Sequence, residues 1–142
     1  MKGIALLFTL LIISLIFTIS LGVYNLVSGE INLSGTGRES QLAFYAADSG
    51  AECALFWDLK HTGLEKSAFD TESPTSPIQC TGRDITVNHS TPSGFEFNLN
   101  FDNGSCVAVT VEKTLSQTTI TAQGQNTCGG GRTVQRGLKV SY

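Results

Sequence analysis

The sequence predicts an α+β chain in which one long N-terminal helix, membrane-spanning in its first half and amphipathic in its second, is packed by a C-terminal antiparallel sheet of about four strands. Three observations carry this. No charged residue occurs from Ile4 to Val27. Apolar and small residues then recur at helical spacing from Leu42 to Phe56, and from Phe95 onward apolar residues alternate with polar ones.

The segments follow in order: residues 1–3 as a short leader, 4–28 as the spanning helix, 29–60 as the outer helix, 61–82 as a linker loop and 83–142 as the sheet. The Ile4–Val27 run is mostly Leu, Ile, Phe and Val, and about 20 apolar residues in a helix suffice to cross a bilayer. A cleavable secretory signal has a shorter apolar core of roughly 7–15 residues before a small-x-small cleavage site, so a retained single span is the preferred reading. Lys2 before the run and Glu30 after it place the N-terminus in the cytoplasm and the C-terminal domain outside it.

In the outer helix, Leu42, Tyr45, Ala46, Ser49, Cys53 and Phe56 form one stripe, while Gln41, Asp48, Glu52 and Lys60 fall mostly off it. That stripe is the surface expected to receive the sheet. Gly29, Gly35 and Gly37 separate the two helical portions, and each weakens a helix by about 1 kcal/mol relative to alanine, which predicts a bend or a melted turn there. From His61 to Pro77 the periodicity gives way to Gly, Ser and Thr with Pro74 and Pro77, which marks loop.

The strands declare themselves by alternation. Phe95, Phe97, Leu99 and Phe101 share one face, and Val107, Val109 and Val111 form a second apolar set across Asp102-Asn103-Gly104, a hairpin signal. A two-residue Asn-Gly turn throws the valines to the face opposite the phenylalanines. A three-residue loop with Gly104 left-handed pairs Leu99 with Val107 and unites them, so that loop is chosen, and Cys106 then points to the polar face. Further strands are expected at 118–124, with Ile120 and Ala122 inward, and at 133–142, with Val134, Leu138, Val140 and Tyr142 inward. A weaker one runs from Asp84 to His89. Helix–sheet packing is therefore expected from Leu42, Tyr45, Ala46 and Phe56 against Phe97, Leu99 and Val109, with the aromatic side chains Phe44, Tyr45, Phe56 and Trp57 supplying buried area.

Cys53, Cys80, Cys106 and Cys128 are the chain's cysteines, all on the predicted outer side, where thiols oxidise. With no C-x-x-C pair, and with His61 and His89 isolated, disulfides are preferred to zinc, and four cysteines allow three connectivities. Folding the strand after Ser105 back along 117–124 returns the chain beside Cys106, which favours Cys106–Cys128 and leaves Cys53–Cys80.

Chemistry is not evident. Neither histidine has a recognisable catalytic partner, and "CGGGR" at 128–132 lacks phosphate-loop spacing and leads into a strand. Asp102-Asn103-Gly104-Ser105 lacks the acid a calcium loop requires. The formal net charge is −3, and Arg132, Arg136 and Lys139, with Arg83, read as a solvated face in preference to a DNA-binding one. No enzyme activity, cofactor, metal or small-molecule substrate is expected.

The opening "KGIALLFTLLIISLIFTISLGV", the block "LAFYAADSGAECAL" and the ending "RTVQRGLKVSY" together resemble the type IV pilins, the first two being similar to the N-terminal region of PilX-type minor pilins. The resemblance covers about the first 60 residues, and the sheet in general character. It implies cleavage by a prepilin peptidase between Gly3 and Ile4, with methylation of the new N-terminus. It also implies partners: other pilin or pseudopilin subunits and an inner-membrane assembly platform. Major pilins carry glutamate at the fifth position after the cut, where this chain has Phe8. Its absence is typical of PilX-type minor pilins and of the K-type minor pseudopilin of type II secretion. The resemblance thus implies a minor subunit, tip-associated or assembly-initiating, placed at the cell surface after assembly. The alternatives are a tip module that binds DNA or surfaces, and a single-pass anchored extracytoplasmic protein that does not polymerise.

Overall fold

The structure, a computed structural model, describes residues 2–60 and 66–142. Met1 of the expected leader and residues 61–65 of the expected linker, His61 among them, lie outside the described residues. The chain forms two compact units, one ending at Gly37 and the other comprising Arg38–Tyr142. Helix α1 covers Lys2–Leu55 and is followed by a π-helical turn, Phe56–Lys60.

In the first unit the large apolar side chains from Ile4 to Leu33 are exposed. The polar ones close on their own helix: Thr9, Ser14 and Thr18 donate to carbonyls three residues back, and Ser20, Asn25 and Ser28 to carbonyls four residues back. This is the one helix long and apolar enough to cross a membrane among the described residues, with a mean hydropathy of 2.8 over its most apolar window. The polar groups it carries are those that internal hydrogen bonding makes tolerable in lipid. No melted turn occurs at Gly29, Gly35 and Gly37, which are all α-helical. A cost of about 1 kcal/mol per glycine does not interrupt a helix that propagates from formed turns on both sides.

In the second unit the strands are β1 Ile78–Cys80, β2 Arg83–Ile85, β3 Asn88–Thr91, β4 Gly94–Asn100, β5 Cys106–Lys113, β6 Thr118–Gln125 and β7 Gln135–Ser141. Strands β3 to β7 form a five-stranded antiparallel sheet in sequence order, and β1–β2 a separate two-stranded ribbon. The expected four or so strands are thus too few. The end of the 61–82 linker is β1, turned into β2 through Thr81 and Gly82, both at positive φ, the conformation that two-residue hairpins require. The single strand expected over 84–89 is divided, because Asp84 and Ile85 pair with β1 while Asn88 and His89 pair with β4.

At the β4–β5 turn the structure adopts the three-residue loop. Leu99 pairs with Val107, Gly104 has φ 84°, and the Phe101 N–H donates to the Ser105 carbonyl at 2.9 Å. The Asn103 side-chain oxygen accepts from the Ser105 N–H at 3.0 Å and from its hydroxyl at 2.6 Å. Phe95, Phe97, Leu99, Val107, Val109, Val111, Ile120 and Ala122 consequently share one buried face. Phe69, from the loop before β1, stacks on Phe97 with ring centroids 6.1 Å apart and closes one end of this core.

The helix meets that face through small residues. Ala43, Ala46, Ala47, Gly50, Ala51 and Ala54 are buried. Of the expected packing residues, Ala46, Phe97, Leu99 and Val109 lie in the interface and Leu42 is half-buried at its margin. Tyr45 is 64% exposed and Phe56 41% exposed, so neither supplies helix–sheet packing. Phe44 is also exposed, and only Trp57 of the four aromatics packs on the core. The reason is distance: the sheet approaches so closely that only Gly and Ala fit beneath it.

Candidate functional surface

A cluster of small side chains on one side of the helix leaves its bulky side chains on the other. Phe44 and Tyr45 meet edge to face with centroids 6.0 Å apart, and Phe56 and Leu59 are exposed further along. Tyr45, with Leu42, Ala46 and Ser49, also borders a shallow groove of about 190 Å³ against Phe101, Asn103 and Ser105. In the first unit Gly3, Ile4 and Phe8 are helical and exposed, and a side chain at Gly3 would meet nothing within 4 Å. The chain thus presents apolar surface in both units, on a helix in each case.

The end of the outer helix is held by a buried polar network. Asp58 is 7% exposed and accepts from Lys113 Nζ at 2.5 Å, from the Tyr142 hydroxyl at 2.6 Å and from the Ser67 hydroxyl. Lys113 also reaches Ser67 Oγ at 3.0 Å. Burial pushes the Asp58 carboxyl up, but the hydrogen bonds from Lys113, Ser67 and Tyr142 and the Lys113 charge together outweigh it, and the group is held below the usual carboxylate value. Burial, reinforced by the bond to Asp58 and its charge, pushes the Tyr142 phenol upward. A carboxylate this deep needs such partners, since an unpaired buried charge is strongly destabilising.

Two disulfides complete the scaffold, Cys53–Cys80 and Cys106–Cys128, each with Cα atoms 5.9 Å apart. The first joins the outer helix to β1. Beside it the Trp57 indole N–H donates to the Gln79 carbonyl at 2.9 Å, and the Ala68 N–H to the Trp57 carbonyl at 3.2 Å. The second ties the start of β5 to the loop after β6, where Gly130 and Gly131 at positive φ turn the chain toward β7.

Three of the four basic residues of the expected solvated face have polar partners within the second unit. Arg83 donates to the Asn100 carbonyl at 2.7 Å and pairs with Asp102, Arg136 donates to Ser40 Oγ at 2.7 Å, and Arg132 lies 3.9 Å from Glu39. His89 stacks on Phe95 at 4.7 Å. No group of acidic, histidine and cysteine side chains that could hold a metal occurs among the described residues.

The sequence reading missed the Asp58 network. The only signal was an acid placed among apolar residues at the helix end, and Lys113 and Tyr142 become its neighbours through tertiary folding alone. It also expected Tyr45 and Phe56 in the helix–sheet interface, where the sheet rests instead on Ala43, Ala46, Ala47, Gly50, Ala51 and Ala54. No family model, curated protein or solved structure matches the chain.

Proposed function

We propose that the protein is a minor, tip-associated or assembly-initiating subunit of a type IV pilus or type II secretion pseudopilus, with a structural role. The observation that carries this reading is the division of α1. Its outer part gives a small-residue face to the sheet and turns Phe44, Tyr45 and Phe56 outward, while its first part is apolar on all sides. A helix that covers its own sheet and still exposes aromatic surface is suited to packing beside sister helices. Phe8 stands where a major subunit carries the glutamate that contacts the neighbouring subunit's N-terminal amine, and that absence favours a position with no subunit ahead of it. On this reading the span sits in the cytoplasmic membrane and the second unit outside the cytoplasm.

The test is coexpression with a prepilin peptidase and a set of pilin subunits, followed by mass spectrometry of the N-terminus and crosslinking in the membrane. Expected are a chain beginning at Ile4 and crosslinks from position 45 to pilin helices. An intact leader without crosslinks would sink the proposal and leave a membrane-anchored protein that does not polymerise.

A further inference from the structure

The outward face of the five-stranded sheet contains two adjacent rows of unusual composition. Across β4, β5, β6 and β7, one row reads Asn98, Ala108, Gln123, Gly137 and the next Asn100, Cys106, Gln125, Gln135. None of these positions is charged or β-branched, whereas exposed strand faces are ordinarily filled by threonine and charged side chains. Asparagine is disfavoured in strands, and the Asn98 and Asn100 side chains make no hydrogen bond within the described residues. They bring the strands no evident structural gain.

Their arrangement makes a hollow. Small Ala108 lies between Asn98 and Gln123, and the half-buried Cys106 lies between Asn100 and Gln125. The four amides surround an open cavity of about 360 Å³, within the range of roughly 300–1,000 Å³ typical of small-ligand sites. Gln123 is held in place by the Gln135 amide, which donates to it at 3.0 Å. Ala108 and Cys106 supply the apolar part of its lining.

We propose that this hollow is a binding site for a neutral, polyhydroxylated ligand, an oligosaccharide segment. Each primary amide offers two donors and an acceptor, which matches hydroxyl groups that both donate and accept. No cation lines the cavity to hold a phosphate or sulfate, and no carboxylate lines it to hold an amine or metal. Along the strands Glu96 and Lys139 stand in the neighbouring row, and Arg83, which donates to the Asn100 backbone carbonyl, is paired with Asp102. The site is independent of filament assembly, so it stands or falls separately from the function proposed above.

The experiment is a titration of the full chain, held in phosphocholine micelles to avoid sugar-headed detergents, with chitotetraose, cellotetraose and maltotetraose. Side-chain amide resonances are followed by NMR. Saturable shifts of Asn98, Asn100, Gln123 and Gln125 are expected with at least one sugar. Ala108→Ile fills the hollow with a residue that strands favour, and at least a tenfold loss of affinity is expected with the rest of the spectrum unchanged. Silence of those amides toward all three sugars, shifts confined to other residues, or unaltered binding by Ala108→Ile would each overturn the proposal.

Discussion

Gly124 on β6 lies against the backbone of Ala43: a methyl group at 124 would come within 2.1 Å of the Ala43 carbonyl oxygen and 2.5 Å of the Ala47 nitrogen. Helix and sheet here are separated by less than one side chain. Backbone cannot rotate away as a side chain can, so Gly124→Ala must push the helix off the sheet, and overpacking of this kind costs about 3 kcal/mol. At Gly50 a methyl would instead meet the Val107 and Val109 methyls at 2.8–2.9 Å, which can shift, and alanine returns about 1 kcal/mol of helix propensity. Thermal unfolding followed by circular dichroism should show a large loss for Gly124→Ala and a clearly smaller one for Gly50→Ala. Equal losses would mean that the close approach is not rigid.

The Asp58 network predicts how stability changes with pH. Because the folded carboxyl titrates below its ordinary value, near 3.9 in the unfolded chain, its contribution is complete above that value and is lost as pH falls through the folded one. The Tyr142 phenol titrates above its ordinary value near 10, so its contribution is present below pH about 10 and is lost as pH rises through the folded value. Denaturant midpoints should therefore be flat at neutral pH and fall toward both extremes. Asp58→Asn should flatten the acid limb and cost about 3 kcal/mol at neutral pH, since it leaves Lys113 without its charge partner. An acid limb unchanged in Asp58→Asn would assign acid unfolding to other carboxylates.

Much of this architecture was legible because it rests on local rules. The period-two alternation from Phe95 to Val111 places every core strand residue on the correct face, and the need to unite the phenylalanines with the valines selects the loop that the chain adopts. The outer helix was legible as a helix but not in its rotation. The large area an aromatic ring can bury favours Tyr45 and Phe56 over Ala43 and Ala47, yet sterics at Gly124 and Gly50 admit only the small residues. Of the expected stripe, Tyr45 and Phe56 mark a face left free, while Ala46 and Cys53 belong to the covered one. Asp58, Lys113 and Tyr142 come from three distant stretches of the chain, so no window of sequence contains their relationship.

The disulfides differ in what they hold. Cys53–Cys80 and Cys106–Cys128 close separations of 27 and 22 residues, and loops of this size correspond to about 3 kcal/mol each in the chain-entropy account. The consequences for local opening should diverge. Cys53→Ala with Cys80→Ala detaches β1 from the helix and should speed proteolytic cutting within residues 66–77 manyfold. Cys106→Ser with Cys128→Ser should leave that segment protected, because the β5–β6 ladder continues through Cys106 and Gln125. Equal cutting of the two variants would show that both losses act through global unfolding.

Tyr45 and Phe56 separate the fold from the proposed assembly. Their side chains lie outside the core, and exposed positions of this kind usually change stability by less than about 0.5 kcal/mol. Tyr45→Ser and Phe56→Ser should therefore unfold at the temperature of the unsubstituted chain while losing crosslinks to pilin partners, because buried aromatics dominate helix interfaces. Ala47→Leu, placed under the sheet, should do the reverse and unfold the second unit without touching the outward surface. If Tyr45→Ser and Phe56→Ser instead destabilise the isolated chain as much as Ala47→Leu does, the aromatic face serves the fold, and its assignment to subunit contact falls.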